Sequence, residues 1–311
     1  MKKILVFVSL LCMISWGLVA CVKDEFDVKS EIKLYTRGTE SGTRDGFFTG
    51  IGLSEAKESN EPLKYDGLGT METNGDMIYA LKNDVYGIGY ISMTSLANSS
   101  LKGVKYEGVD PTEENVLNGT YTLTRNFNYI VRTEFSSSDK QEIIEAFKAY
   151  LGTQEGKTIM KSEGGILEIS NHDPKWEDIK DNYEITKKDN SNITIYFGGS
   201  TSVSSMAQAL AKEFSNLCGN VKFSHDYHGS GDAYKKTQGA QKDATGYYDM
   251  AFASRDFKIT GDEKAQEGTY GKMCIDAIVV VVNAKNECSS LTADDLVKIY
   301  TGVYRKWNEL I

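Results

Sequence analysis

The run Arg37-Gly-Thr-Glu-Ser-Gly-Thr-Arg-Asp45 puts a guanidinium, hydroxyls and glycines into one short turn. It follows the apolar, strand-like residues 32–35 and leads into Gly46-Phe-Phe48. A strand, a hydroxyl-bearing turn and a helix together make an anion cradle. The turn aims unpaired backbone N–H groups at one point, and the helix start adds a partial positive charge. Arg37 precedes Ser41, Gly42 and Thr43 closely enough to grip the same tetrahedral oxyanion with two hydrogen bonds. Taken singly, the stretch also reads as an ordinary turn beside a surface arginine. Recurrence of the pattern favours the cradle. Residues 193–197 read as a strand running into Gly198-Gly-Ser-Thr-Ser202, which supplies Ser200, Thr201 and Ser202 ahead of a helix. Residues 221–227 lead likewise into Gly229-Ser-Gly231, which supplies Ser230. A further strand, 250–254, ends on Ser254. Each turn alone could be a helix cap; several convergent hydroxyl turns with one arginine suit an anion better.

These turns need strands and helices behind them. Helical spacing of Val203, Met206, Ala207, Leu210, Ala211, Phe214 and Leu217 predicts a helix after the second cradle. Further helices are predicted at 74–83, capped by Asn74, at 142–151 after a capping box opened by Ser138, and at 292–300. Strands are predicted at 85–92, 127–133 and 277–282, the last apolar throughout and suited to the middle of a sheet. Strands alternating with helices imply α/β lobes with mostly parallel sheets, which bind ligands beyond the carboxyl ends of their strands. All the hydroxyl turns fall at that end. The Asp-, Asn- and Lys-rich stretch 170–192 reads as a linker.

The chain has 311 residues and a formal net charge of -9, which argues against nucleic acid as a partner. It does not exclude a small anion, since backbone dipoles and one arginine set the local potential. Lys2-Lys3, an apolar run over 4–16 and Leu18-Val-Ala-Cys21 read as a secretory signal over 1–20. Its end resembles the bacterial lipobox. That resemblance implies lipidation of Cys21, a tether over 21–31 and an exported protein anchored to the extracytoplasmic face of the membrane. The apolar run is short for a membrane span. Cys218, Cys274 and Cys288 read as packing residues, with one disulfide left open. No Cys/His spacing suggests a metal, and no cofactor is expected. No nucleophile elbow or nucleotide fingerprint appears, and His225 and His228 do not share one face.

The Gly199-Ser-Thr-Ser-Val203 run, the Ser230 loop, Asp249-Met-Ala-Phe-Ala-Ser-Arg255, the segment 291–310, Arg37…Ser-Gly-Thr43, Tyr86-Gly-Ile-Gly-Tyr-Ile91 and Gly108-Val-Asp-Pro-Thr112 together resemble the phosphate-binding proteins of bacterial ABC uptake systems. The resemblance covers nearly all of 32–311. The order differs: the family's second half comes first here, as in a circular permutant, with 170–192 as the joint between the old ends. The family implies a two-lobed, class II periplasmic-binding-protein fold whose lobes are joined by two hinge strands. Lobe A would be 32–93 plus 284–311, lobe B 94–283, with hinges near 91–94 and 281–283. Phosphate would be held by Ser200, Thr201, Ser202 and Ser230 from one lobe and by Ser41, Gly42 and Thr43 from the other. Arg37 would supply the only full positive charge. Ser254 stands where some members carry an Asp that accepts the phosphate proton. Thr39 stands where an acidic residue often steadies the arginine. The implied function is a monomeric, non-enzymatic receptor that hands inorganic phosphate to an ABC permease in the membrane. Another oxyanion such as sulfate remains open. So do a surface interaction protein and a phosphate-ester hydrolase using Ser41 or Ser230 with His228 as base.

Overall fold

The computed structural model describes residues 26–64, 67–97, 99–261 and 263–310. The expected signal and the lipidation site Cys21 lie outside the described residues. The strands are β1 (Lys33–Arg37), β2 (Gly69–Met71), β3 (Gly87–Ser92), β4 (Lys102–Gly103), β5 (Lys105–Tyr106) and β6 (Thr124–Val131). They continue with β7 (Thr194–Gly199), β8 (Lys222–Tyr227), β9 (Met250–Ala253), β10 (Tyr270–Val282) and β11 (Ser290–Leu291). All but β5 and β11 join one sheet in the order β2-β1-β3-β10-β6-β9-β7-β8, with β4 also on β10.

The β10 strand belongs to both halves of this sheet. Up to Ala277 it pairs antiparallel with β6; from Ile278 it pairs antiparallel with β3. On one side β1 lies between β2 and β3 as a parallel set, and on the other β7 lies between β8 and β9, again parallel. A separate core packs each side. Ile32, Leu34, Phe47, Phe48, Tyr90 and Trp307 build the first, and Phe147, Phe197, Leu210, Phe214 and Phe252 build the second. The Phe47 ring stacks on Tyr90 at 3.9 Å between centroids.

Residues 104–123 contribute Val104, Tyr106, Val116, Tyr121 and Leu123 to the first core. The sequence reading assigns this segment to lobe B and puts the hinges at 91–94 and 281–283. In the structure the chain passes from one core to the other between Leu123 and Phe127, and returns along β10 at Ala277–Ile278. The difference has a physical cause. β10 is apolar far beyond the crossover, so its pattern does not mark the point where its partner changes. The stretch 170–192 carries the short helix Trp176–Ile179, and Trp176 and Ile185 are buried in the second core. Most of its polar residues face solvent, while these two and the buried Asn190 anchor it.

Three helices matter for the site. α1 (Gly42–Gly50) opens on Ser41, whose hydroxyl accepts from the backbone N–H groups of Thr43 and Arg44. α2 (Asn74–Lys82) is capped by Thr73 in a reciprocal box with Asp76, not by Asn74 as the sequence suggests. Thr73 is the better cap because Asp76 sits at the third helical position to complete the box, which leaves the Asn74 amide free. α3 (Ser204–Leu217) follows Gly199 with no side-chain cap of its own. The first and last described segments adjoin: Ile32 N–H donates to Arg305 O at 2.8 Å, and Phe26 packs edge-on to Trp307.

Candidate functional site

The carboxyl ends of β1, β7 and β9 and the starts of α1 and α3 meet between the two cores. Arg37, at the end of β1, is 1% exposed. Its Nε donates to Met71 O at 3.1 Å, and Nη2 to Glu72 O at 2.7 Å. Nη1 donates to Asn74 Oδ1 at 2.7 Å and lies 3.5 Å from Thr43 Oγ1. Nη2 also reaches the other side, donating to Thr201 Oγ1 at 3.1 Å. The planar guanidinium is therefore fixed on three edges before any ligand is considered. Burial lowers its pKa to about 10, with Tyr90 opposing this and Arg125 reinforcing it, so Arg37 remains a cation at neutral pH.

The hydroxyls form a connected set. Thr43 Oγ1 and Ser202 Oγ are 3.0 Å apart, and Asn74 Nδ2 donates to Ser202 Oγ at 3.2 Å. Ser200 Oγ donates to Ser254 Oγ at 2.9 Å, and the Ser202 N–H donates back to Ser200 Oγ. Ser230 Oγ lies 3.1 Å from Ser254 Oγ and accepts from the Ser254 N–H at 2.9 Å. Gly42 closes against this group: a Cβ there would sit 2.5 Å from both the Ser230 and the Ser254 oxygens. Ser41 holds the first turn of α1 in place. The structure thus brings together all nine residues named from the sequence. Three turns far apart in the chain present hydroxyl and amide groups to one buried guanidinium.

Several participants carry no obvious sequence signal. Asn74 binds both Arg37 and Ser202, where the sequence suggests only a helix cap. Tyr90, fully buried, accepts the Arg37 N–H at 3.2 Å and shares a hydrogen bond with Thr36. The carbonyls of Met71 and Glu72 cannot be read from side-chain identity at all. With Asn74 they steady Arg37. Arg37 is also not the only buried cation nearby. Arg44 is buried on α1, and Arg125 on β6 is tied to Asp276 through Nε and Nη2 at 2.9 and 2.8 Å. Ser92 donates to the other Asp276 oxygen at 2.7 Å, so this ion pair sits where β10 changes partners. A cavity of about 330 Å³ beside the site is lined by Asp45, Gly46, Arg125, Ser254 and Arg255.

His228 is drawn to Asp226, with Nε2 2.7 Å from Oδ1, and is largely exposed. Among the described residues no histidine hydrogen-bonds Ser41 or Ser230, so neither serine has a base in place. Cys218, Cys274 and Cys288 are free and buried.

Residues 186–311 match the family model of a PBP superfamily domain. The solved phosphate-binding protein of a phosphate ABC transporter from Streptococcus pneumoniae TIGR4 superposes with a TM-score of 0.61 at 23% identity, covering 91% of this chain and all of that one. The chain has the two-lobed α/β fold of that solved protein. Curated relatives span almost its whole length. The phosphate-binding protein PstS 2 of Streptococcus agalactiae serotype V is 25% identical over 284 residues, 91% of this chain and 88% of the relative. The protein of the same name from Streptococcus pneumoniae serotype 4 is 26% identical over 303 residues, 95% and 94% of the two chains.

Proposed function

We propose that this PBP-fold chain is an extracytoplasmic solute-binding protein that captures inorganic phosphate between its lobes for an ABC importer. One observation carries the reading. A buried, fully oriented Arg37 on one lobe meets the hydroxyl turns of the other through Thr201, while Thr43 meets Ser202. Such a set needs only small lobe motions to exchange hydroxyl–hydroxyl bonds for bonds to an oxyanion. Charge-assisted hydrogen bonds in a dry cleft support micromolar or tighter binding, roughly 8 kcal/mol or more. The names of the relatives support phosphate as the ligand, and the solved protein, described as the phosphate-binding protein of a phosphate ABC transporter, supports an importer as the partner. The roles assigned to Arg37, Ser41, Gly42, Thr43, Ser200, Thr201, Ser202, Ser230 and Ser254 belong to this proposal, as do the monomeric state and the lipid anchor at Cys21. Titration calorimetry of the protein without residues 1–20 tests it. Phosphate should bind with a dissociation constant near or below micromolar; no heat with phosphate rejects the reading.

Sulfate stays a second reading on one observation: Ser254 offers a hydroxyl, and among the described residues no carboxylate hydrogen-bonds to these hydroxyls. A hydroxyl donates as readily as it accepts, so discrimination by the ligand's proton is weakened. Sulfate titrated in parallel should bind within about a hundredfold of phosphate if this holds.

The permuted order is also part of the proposal; the relatives match over 91% and 95% of this chain and so would share it, and the adjoining first and last segments support it. Joining residue 310 to residue 26 and opening the chain within 188–191 should preserve phosphate binding. A chain so rearranged that neither folds nor binds counts against a permuted origin.

A further inference from the structure

Arg44 follows Thr43 in α1 and is fully buried. Its Nε donates to Ala56 O at 2.8 Å and Lys57 O at 3.0 Å, and its Nη2 to Ser59 O at 2.8 Å. Its Nη1 donates at 2.7 Å to the carbonyl of Arg37 itself. Every one of these acceptors is a neutral carbonyl. Carbonyl dipoles solvate a guanidinium without cancelling its charge. The ionisable side chains nearest in effect are Tyr90 and Tyr300, both buried; burial pushes Tyr90 up and Tyr300 well up, so they are neutral when Arg44 is charged. Asp45, next in sequence, faces Lys57 and Arg255 instead, at 3.4 Å each. Arg37 likewise lies in no ion pair among the described residues; Glu72 and Asp76 act on it only from a distance. Arg125 differs, because Asp276 neutralises it. The cradle therefore carries two buried positive charges without counter-ions, joined through one backbone carbonyl. Buried charge without compensation is strongly unfavourable, and a doubly charged ligand between the lobes would supply the compensation.

We infer that Arg44 is the second charge of the oxyanion site, a positioning and valence-setting residue that never touches the ligand but fits the cleft to a doubly charged tetrahedral anion over a singly charged one. The inference rests on the oxyanion reading above. The Arg44 bond to Arg37 O also fixes the backbone from which the first guanidinium projects, so charge and geometry must be separated by experiment.

Phosphate at about pH 8, where it is mostly the dianion, and perchlorate, a tetrahedral monoanion, are the probes. Each is titrated into the wild-type protein, Arg44→Gln and Arg44→Lys, with melting temperatures recorded for all three. Lysine keeps the charge and gives up most carbonyl bonds; glutamine gives up the charge. The expected result is a roughly tenfold fall in phosphate affinity for R44Q with only about a threefold fall for perchlorate, and a phosphate preference kept by R44K. Equal losses in both variants, or equal losses for both anions, mark a purely structural anchor and overturn the inference. Perchlorate binding the wild-type protein within about tenfold of phosphate overturns it whether or not a variant folds. Absence of phosphate binding in the wild-type protein overturns the oxyanion reading itself, and this inference with it.

Discussion

Thr43 and Ser202, 159 positions apart in the chain, place their hydroxyl oxygens 3.0 Å from each other, and Asn74 donates to the same Ser202 oxygen at 3.2 Å. Each lobe thus satisfies the other's polar groups across the cleft. Buried hydroxyls and amides need partners, so the closed arrangement is stable without any side chain having to leave its turn. A ligand oxygen can replace one hydroxyl partner by another acceptor, and the geometry changes little.

Arg37→Ala removes the one charge that faces both lobes and leaves Met71 O, Glu72 O and Asn74 Oδ1 without their donor. Phosphate affinity is expected to fall by at least about 2 kcal/mol, since a buried dianion loses a counter-charge. Arg37→Lys should recover little, because an ammonium cannot serve the three fixed edges at once. Calorimetry showing wild-type affinity in either variant would remove Arg37 from the site.

Asn74 is tested by two substitutions with different signs of electrostatic effect. Asn74→Ala deletes a neutral acceptor of Arg37 and should weaken binding by about 1 kcal/mol. Asn74→Asp keeps the acceptor but places a carboxylate against the guanidinium and next to Ser202. It should weaken phosphate binding more than alanine does, because it cancels the charge the anion needs. If aspartate binds phosphate as well as asparagine, local charge is not what draws the ligand.

Much of this site was legible in the chain because it is built from strand–turn–helix units, each with its own signal. A hydroxyl next to glycine at the end of an apolar run announces itself, and the structure brings the turns of Arg37, Ser202 and Ser230, which carry that signal, to one cleft. Asn74 was misread because Asn is also a good helix cap, and only Asp76 three positions after Thr73 separates the two roles. Arg44 lay in plain view, yet its burial follows from carbonyls at 56, 57 and 59, which have no side-chain signature. The lobe limits were hard to read for a related reason. The second half of β10 stays apolar while its partner changes from β6 to β3.

The thiols offer a test of burial and of its pH linkage. Burial pushes Cys288 up to about 11 and Cys218 up to about 12, and raises Cys274 as well. An unfolded thiol ionises near about 8.5. The folded values are raised, so this contribution to stability is complete below about pH 8.5 and is lost as pH rises through the folded values. The melting temperature should therefore decline between about pH 9 and 11, and less so when all three cysteines are replaced by alanine. At about pH 8 a thiol reagent should leave all three untouched until denaturant is added. Rapid labelling of the native protein would show that these positions open to solvent.

Gly42→Ala separates lobe closure from folding. Gly42 opens α1, and its φ is not in the left-handed region, so alanine suits the backbone and slightly favours the helix. Its Cβ, however, would lie 2.5 Å from the Ser230 and Ser254 oxygens and 3.1 Å from the Ser254 carbonyl carbon. Serine side chains are too short to swing clear, and the backbone carbon cannot. The lobes would have to stand apart, and Arg37 would no longer reach Thr201. The melting temperature without phosphate should stay close to that of the wild-type protein, while phosphate affinity falls by more than about tenfold. Small-angle scattering should show the wild-type protein compact with or without phosphate and the variant more extended in both conditions. A G42A protein as compact as the wild type that binds normally would mean that α1 does not close on the Ser230–Ser254 turn, and the site would have to be assembled in some other way.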